Sequence, residues 1–163
     1  MLYLPFNAGS TRYVLPAKEI VTVIPVVMLR SVPQSPDYLI GLLNYQGVSI
    51  PIVDATRLLD GHKSDIRLST RIILVTLPAE DNQQHTLGLL AEKVTEVMQL
   101  QDKDFVNAGL HQEAYGYLGE VVASDTGVVR RIILSDLIPH DMQKTIFQSF
   151  TAESDQSISN VTH

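Results

Sequence analysis

Five histidines are the side chains in this sequence best suited to bind a metal ion or to relay protons. They stand at His62, His85, His111, His140 and His163, each more than 20 positions from the next. Histidines that share a metal ion usually lie close together on one helix or strand, as in the H-E-x-x-H pattern. The wide spacing therefore predicts surface or loop histidines and no metal site.

Carboxylates and nucleophiles give no stronger signal for catalysis. Asp102 and Asp104 flank Lys103 in a polar stretch, which is more typical of a solvated loop or helix cap than of a general acid–base pair. Asp54 follows an apolar strand, and its predicted role is the N-cap of the short helix after it. The chain has no G-x-S-x-G elbow and no cysteine. We therefore expect no catalytic residue and no enzymatic activity.

Glycine-rich loops that bind phosphates are also missing from the sequence. Gly41 and Gly47 frame a segment without the Lys-Ser/Thr of a Walker loop. Gly116 and Gly119 form a G-x-x-G pattern, but no basic residue accompanies it as nucleic-acid binding would require. Both patterns predict turns, and we expect no cofactor.

Composition narrows the class of protein further. The 163 residues include no cysteine, which excludes disulfides and thiolate metal sites and favours a reducing, cytoplasmic location. Apolar residues make up 45%, enough for a core, and the net charge of −6 disfavours nucleic acids and anionic membranes as partners. The densest apolar run, Val21–Leu29, contains Pro25 and is far shorter than the roughly 20 residues of a membrane span, which predicts a soluble protein.

Short β-branched runs separated by turn signals dominate the chain, as in small β-sandwiches and barrels. The predicted strands are Leu2–Asn7, Thr11–Leu15, Ile20–Ile24, Ser49–Val53, Arg71–Leu77, His85–Leu90, Val94–Leu100, Gly119–Ser124 and Val128–Leu134. Fewer segments predict helices: residues 35–43, where leucines recur at the spacing of one helix face, and segments beginning near Asp54, Ser135 and Met142. The sequence thus predicts a mainly β fold with short helices and a C-terminal helix.

Residues 32–54 carry the most specific pattern, VPQSPDYLIGLLNYQGVSIPIVD. Pro33 and Pro36 stiffen an extended entry, Gly41 allows close backbone approach, and a tight turn at Gly47 leads into an apolar strand. This segment resembles the signature of the CheW family of chemotaxis coupling proteins. Two further segments support the resemblance: residues 87–98, with Glu92 where the family usually has Asp, and the turn at residues 117–120 followed by the apolar run 132–138. The resemblance covers nearly residues 1–145.

The resemblance implies a fold of two intertwined, five-stranded SH3-like barrels and the role of a non-catalytic adaptor. Such adaptors link methyl-accepting chemoreceptors to a CheA-type histidine kinase, through the kinase's own CheW-like regulatory domain. An aliphatic groove between the barrels would take the tip of the receptor, and one barrel end would pair with the kinase. The sequence shows no receiver domain, phosphotransfer histidine or ATP-binding segment, so the resemblance is to the stand-alone adaptor. We expect it in the cytoplasm, recruited to membrane-associated receptor arrays.

The resemblance also implies which residues bind partners. The receptor groove would be lined by six residues, with Gly41 as the family glycine before the turn: Ile20, Thr22, Leu43, Asn44, Gln46 and Gly47. The family usually has Arg where Gln46 stands and often an acidic residue where Thr22 stands. Loss of both halves of an ion pair is more coherent than loss of one, because a lone, partly buried charge is costly. These departures predict a partner from an alternative, non-flagellar chemosensory pathway.

The expected organisation is one domain over residues 1–150, made of barrel subdomains at roughly 10–80 and 81–140 that share the first strand. Residues 151–163 are rich in Ser, Thr, Asp, Gln and Asn, and this composition predicts a disordered polar tail. The alternative function is an SH3-like barrel that binds another ligand, such as a nucleic acid, which would need a basic face.

Overall fold

Eleven strands form two sheets within the residues that the computed structural model describes, 1–78, 84–107, 120–124 and 127–148. The first seven are β1 (Leu2–Ala8), β2 (Thr11–Pro16), β3 (Ile20–Pro25), β4 (Leu39–Tyr45), β5 (Val48–Asp54), β6 (Arg71–Leu77) and β7 (His85–Ala91). The others are β8 (Met98–Gln99), β9 (Val106–Asn107), β10 (Glu120–Ser124) and β11 (Gly127–Arg131). The predicted mainly β architecture is confirmed.

The two sheets differ in how their strands are joined. One has six strands in the order β8-β1-β2-β11-β10-β9, with β2 and β11 parallel. The other has five strands in the order β3-β6-β7-β5-β4. The chain beyond β3 brings Arg30 against Leu42 of β4, where two backbone hydrogen bonds of 2.9 and 2.8 Å form. This bridge joins the continuation of one edge strand to the other edge strand, which closes the five-stranded sheet.

Alternate residues of the same strand enter different cores. In β6, Ile73 and Val75 pack between the two sheets, whereas Ile72 and Leu74 pack inside the five-stranded sheet. Burial of such a side chain contributes about 1.5–3 kcal/mol, and a slip by one residue would move every side chain to the opposite face. The two-sided burial therefore fixes the strand register.

The six-stranded sheet has a separate core on the face that points away from the five-stranded sheet. In β1, Leu4 and Phe6 pack into the core between the sheets, while Tyr3 packs with Phe105 and Val122 on the opposite face. β1 is thus buried on both faces, and it also forms an isolated bridge from Asn7 to the residue after β7.

Three helices accompany the strands in the described residues. α1 (Ala55–Asp60) begins after Asp54 and ends at Gly61, whose φ of 81° is left-handed; α2 spans Leu134–Leu137, and α3 includes residues 140–148. These agree with the helices predicted near Asp54, Ser135 and Met142. None is long and apolar enough to cross a membrane.

The helix predicted over residues 35–43 is wrong, because residues 39–45 form strand β4. A bulge shifts the pairing of β4 with β5 between Leu39 and Gly41, which interrupts the two-residue alternation. Leu39, Leu42 and Leu43 are all buried as a result, and their spacing imitates one face of a helix.

Sheet membership also differs from the predicted division into residues 10–80 and 81–140. β2 joins the six-stranded sheet beside β11, and β7 joins the five-stranded sheet between β6 and β5. The reason is pairing: β6 and β7 match over seven residue pairs, so no boundary can fall between them. The predicted tail at residues 151–163 lies outside the described residues.

Candidate functional site

The β4–β5 hairpin carries most of the predicted partner-binding residues. Its two turn residues, Gln46 and Gly47, have φ values of 51° and 82°, and two successive positive values give the tight hairpin turn that suits twisted strands. Asn44, Gln46 and Gly47 are exposed at this turn. Leu43 is only 5% exposed and packs into the core of the five-stranded sheet. Leu43 therefore anchors the hairpin, and the other three residues form its outer surface.

Gly41 lets the segment before the hairpin pack closely against β4. A Cβ atom at this residue would lie 2.8 Å from Cβ of Leu29 and 2.9 Å from the carbonyl oxygen of Arg30. Only glycine lets the Leu29–Arg30 segment lie this close to β4. The close approach predicted for Gly41 is confirmed, and it brings the backbone bridge between Arg30 and Leu42 within hydrogen-bond distance.

Strand β3 carries the other two predicted residues and exposes their neighbours instead. Ile20 packs against the core between the sheets, and Thr22 is half-buried. The alternate positions Val21 and Val23 are 51% and 37% exposed. Val27 (43%) and Met28 (97%) are also exposed in the segment that follows the strand, and we call these four residues the β3 stripe: Val21, Val23, Val27 and Met28. Several large apolar side chains exposed within one short segment suit an interaction site.

The family resemblance points to the half-buried side of β3, whereas the stripe lies on the other side of the strand. Residues 20–24 read Ile-Val-Thr-Val-Ile, with a single polar residue, so the polarity pattern does not tell which alternate set faces solvent. The larger isoleucines at positions 20 and 24 were the available signal, since both are partly buried against a core.

Thr22 and Gln46 lie towards the two edges of the five-stranded sheet, which the Arg30–Leu42 bridge joins. Thr22 pairs with Leu74 of β6, whereas Gln46 lies in the turn between β4 and β5, at the other side of the sheet order. The predicted effect of these two residues on the choice of pathway stays a prediction.

Asp54 has the capping role that the sequence predicts. Asp54 is 1% exposed, and its carboxylate accepts hydrogen bonds from the backbone N–H groups of Thr56 (3.1 Å), Arg57 (3.3 Å) and Ser64 (2.9 Å), and from the Ser64 hydroxyl. The Thr56 hydroxyl donates to Glu92 Oε1 at 3.1 Å. Because the Asp54 oxygens are occupied by these donors, the arrangement fixes α1 and the loop after it and offers no catalytic base.

The acidic pair near residue 102 has a structural partner. Asp102 and Asp104 lie in a single 3-10 turn, and Asp102 Oδ1 accepts hydrogen bonds from Arg131 (3.0 Å) and from the Tyr3 hydroxyl (3.3 Å). Arg131 also donates to Glu120, and its Cζ lies 4.0 Å from the ring centroid of Phe105. We call this group the Arg131 cluster: Tyr3, Asp102, Phe105, Glu120 and Arg131. It binds strands β1, β10 and β11 to the segment between β8 and β9.

The histidines are separate in the described structure. His62 Nε2 lies 3.9 Å from Asp60 Oδ2 at the surface, and the His85 ring centroid lies 4.6 Å from that of Phe147. His140 is on α3, and His111, His163 and the predicted G-x-x-G turn at residues 116–119 lie outside the described residues. Among the residues described, no three His, Asp or Glu side chains are grouped so that they could hold a metal ion.

Comparisons with known proteins agree with this architecture. A model of the CheW-like domain family matches residues 2–141. Among solved structures, the crystal structure of the scaffolding protein TtCheW from Thermoanaerobacter tengcongensis aligns with a TM-score of 0.72 at 19% identity, covering 86% of this chain and 89% of that one. No match was found among curated proteins. The structural likeness confirms the predicted fold class.

Proposed function

The chain belongs to the CheW-like domain family, and on that premise we propose that it is a non-catalytic adaptor of a bacterial chemosensory array. In this proposal it couples the tip of a methyl-accepting chemoreceptor to a CheA-type histidine kinase, in the cytoplasm, and residues 1–150 form the coupling module. The observation that carries the proposal is the family match over residues 2–141.

The β3 stripe supports an adaptor role in physical terms. Val21, Val23, Val27 and Met28 are exposed along one strand and its continuation, although burial of each would be favourable by about 25 cal/mol per Å² of apolar surface. Aliphatic surface of this kind suits a helical partner that lays its apolar face into a groove. We assign the receptor contact to this stripe.

The hairpin residues have a second role in this proposal. Asn44, Gln46 and Gly47 are exposed at a rigid two-residue turn, where they offer polar groups to a partner without further ordering. Thr22 lies half-buried beside the stripe on the same strand. The buried residues Gly41 and Leu43, and the partly buried Ile20, support these surfaces from inside the fold.

A reconstituted binding experiment tests the proposal. The purified chain is mixed with a receptor-tip fragment and with the CheA-type kinase of the same organism, and complexes are measured by sedimentation. Val21→Lys with Val23→Lys places two charges on the stripe, and we expect receptor affinity to fall at least about tenfold, because each charge must be desolvated in an apolar contact. Kinase binding should be retained.

Val106→Lys is the matched control, since Val106 is 60% exposed on a strand of the other sheet. If the control loses as much receptor affinity as the stripe variant, the assignment of the receptor contact to the β3 stripe is wrong. An absence of binding to both the receptor and the kinase would overturn the adaptor function. A shift with oligonucleotide at physiological salt would favour the alternative, a barrel that binds nucleic acid.

A further inference from the structure

A groove of about 800 Å³ lies where the two sheets meet, away from the β3 stripe and the β4–β5 hairpin. It is lined by the β1–β2 turn, β11, the residues after β7 and Ser69. Its volume is within the range of small-molecule sites, roughly 300–1,000 Å³. We call it the junction groove, and its lining includes three cations and four hydroxyls: Arg12, Lys93, Arg130, Ser10, Thr11, Ser69 and Thr95.

The charge of the junction groove is opposite to that of the chain. The whole sequence has a net charge of −6, yet no Asp or Glu is among the described residues that line the groove. An adjoining cleft shares Ser69 and Lys93 with the groove and is lined by three carboxylates, those of Asp60, Asp65 and Glu92. Lys63 and Arg67 line the same cleft, and Glu92 Oε1 accepts hydrogen bonds from the Thr56 hydroxyl and from the backbone N–H of Asp65. The local field in the groove therefore favours a negatively charged ligand.

Arg12 is held in the groove by neutral oxygens. Its guanidinium donates to Asn7 Oδ1 (2.8 Å), to the carbonyl oxygen of Lys93 (2.7 Å) and to Thr95 Oγ1 (2.5 Å). A guanidinium has five N–H donors, so these three bonds leave donors for a ligand. Burial lowers the pKa of Arg12, and no carboxylate of the described residues forms an ion pair with it. A partly desolvated cation with neutral acceptors only is stabilised when an anion binds.

Lys93 is presented by an unusual backbone conformation. Its φ is 46°, in the left-handed region that non-glycine residues seldom occupy and that costs about 1 kcal/mol or more. The hydrogen bond from Arg12 to the Lys93 carbonyl holds this conformation, and the side chain is exposed. The same contact thus brings both cations to the groove.

From this arrangement we propose that the junction groove binds a phosphate-bearing small molecule, whose phosphate oxygens accept charge-assisted hydrogen bonds from Arg12 and Lys93. The hydroxyls of Thr11 and Ser69 are further donors at the groove wall. Phosphate is favoured because its several oxygens can accept from separate donors at once.

Titration of the full chain with inorganic pyrophosphate, followed by NMR at constant ionic strength, tests the proposal. We expect amide shifts confined to the groove-lining segments. Lys93→Gln and Arg12→Gln should each weaken binding by about tenfold, because each removes a charge-assisted donor. Circular dichroism establishes that the variants are folded. Lys93→Gly also removes the charge, and because it relieves the backbone strain it tests the role of the Lys93 ammonium group a second time.

Lys18→Gln is the matched control, because it removes the same charge from an exposed residue outside the groove. The control should bind pyrophosphate with unchanged affinity. Equal weakening by Lys18→Gln, or shifts spread over the whole surface, would overturn the proposal as non-specific charge attraction. Binding of a hexaglutamate peptide more tightly than pyrophosphate or ADP would overturn it in favour of an acidic polypeptide partner.

Discussion

The two sheets are held at their edges by different kinds of contact. The five-stranded sheet is closed by backbone hydrogen bonds between Arg30 and Leu42, and the buried side chains of its own core are all aliphatic. The six-stranded sheet has Tyr3 and Phe105 in its core, and the Arg131 cluster joins its strands through charged side chains. The first arrangement depends on how closely the backbones approach, whereas the second depends on charge. The stability of the two sheets can therefore respond differently to the same change of conditions, such as added salt.

The largest effect should come from the backbone contact that closes the five-stranded sheet. Gly41→Ala places a methyl group 2.8 Å from Cβ of Leu29 and 2.9 Å from a backbone oxygen. We expect the free energy of unfolding in urea to fall by about 2–4 kcal/mol, since backbone must move to make room. Gly47→Ala is the control, with no atom within 4 Å of the added Cβ and only its φ of 82° as a cost, about 1 kcal/mol. Equal losses of unfolding free energy from the two variants would show that the close approach of the Leu29–Arg30 segment to β4 does not stabilise this edge of the sheet.

A smaller loss, with salt dependence, should come from the six-stranded sheet. Arg131→Met removes the partner of Asp102 and Glu120, and because those carboxylates are 68% and 43% exposed we expect a cost of about 1–2 kcal/mol. The cost should shrink in 1 M NaCl, where exposed charges are screened.

Arg67→Met is the control for the second prediction. Arg67 and Asp65 form a pair at 3.7 Å with both side chains about 70% exposed, and such pairs contribute under about 1 kcal/mol. If Gly41→Ala were as sensitive to salt as Arg131→Met, the contrast between the two sheets would be lost.

The smallest effect should come from Glu19, in the 3-10 turn between β2 and β3 that links the sheets. Burial raises the pKa of Glu19, and its buried Oε2 has no hydrogen-bond partner among the described residues. The native state therefore favours the protonated form, so the contribution of Glu19 to stability is most favourable below the ordinary value of 4.5 and declines as the pH rises above it.

Glu19→Gln should raise the free energy of unfolding at pH 7 by under about 1 kcal/mol, because the side chain is only partly buried. The gain should vanish near pH 4, where the wild-type carboxyl is protonated. Denaturation curves at the two pH values measure this, with the exposed Glu96→Gln as control. A gain of equal size at both pH values would mean that ionisation of Glu19 is not its cause.

Most of the five-stranded sheet could be predicted because its signals are local. The apolar runs at β3, β5, β6 and β7 and the Asp54 cap lie within a few residues of sequence, and all were found. β4 was mistaken for a helix because a bulge between Leu39 and Gly41 interrupts the alternation on which such predictions depend.

The six-stranded sheet was harder to predict because its contacts are distant in sequence. Val94–Leu100 was predicted as a full strand, but only Met98 and Gln99 pair with β1. Tyr3 and Arg131 meet across 128 positions, and Arg12 reaches Lys93 across 81, which no local pattern reveals. For the candidate site the obstacle is local, because β3 is apolar on both sides and its sequence does not tell whether Thr22 or the stripe on the opposite side is the exposed set.

The parallel pairing of β2 with β11 has a consequence for synthesis on the ribosome. β1 and β2 emerge well before β11, because Val129 and Arg130, which pair with Arg12 and Tyr13, are translated more than 100 residues later. Until then one edge of β2 has no strand beside it, and Val14 lacks the Val129 that packs with it in the finished fold. The nascent hairpin therefore stays open to pairing with other chains until more than 100 further residues have been translated.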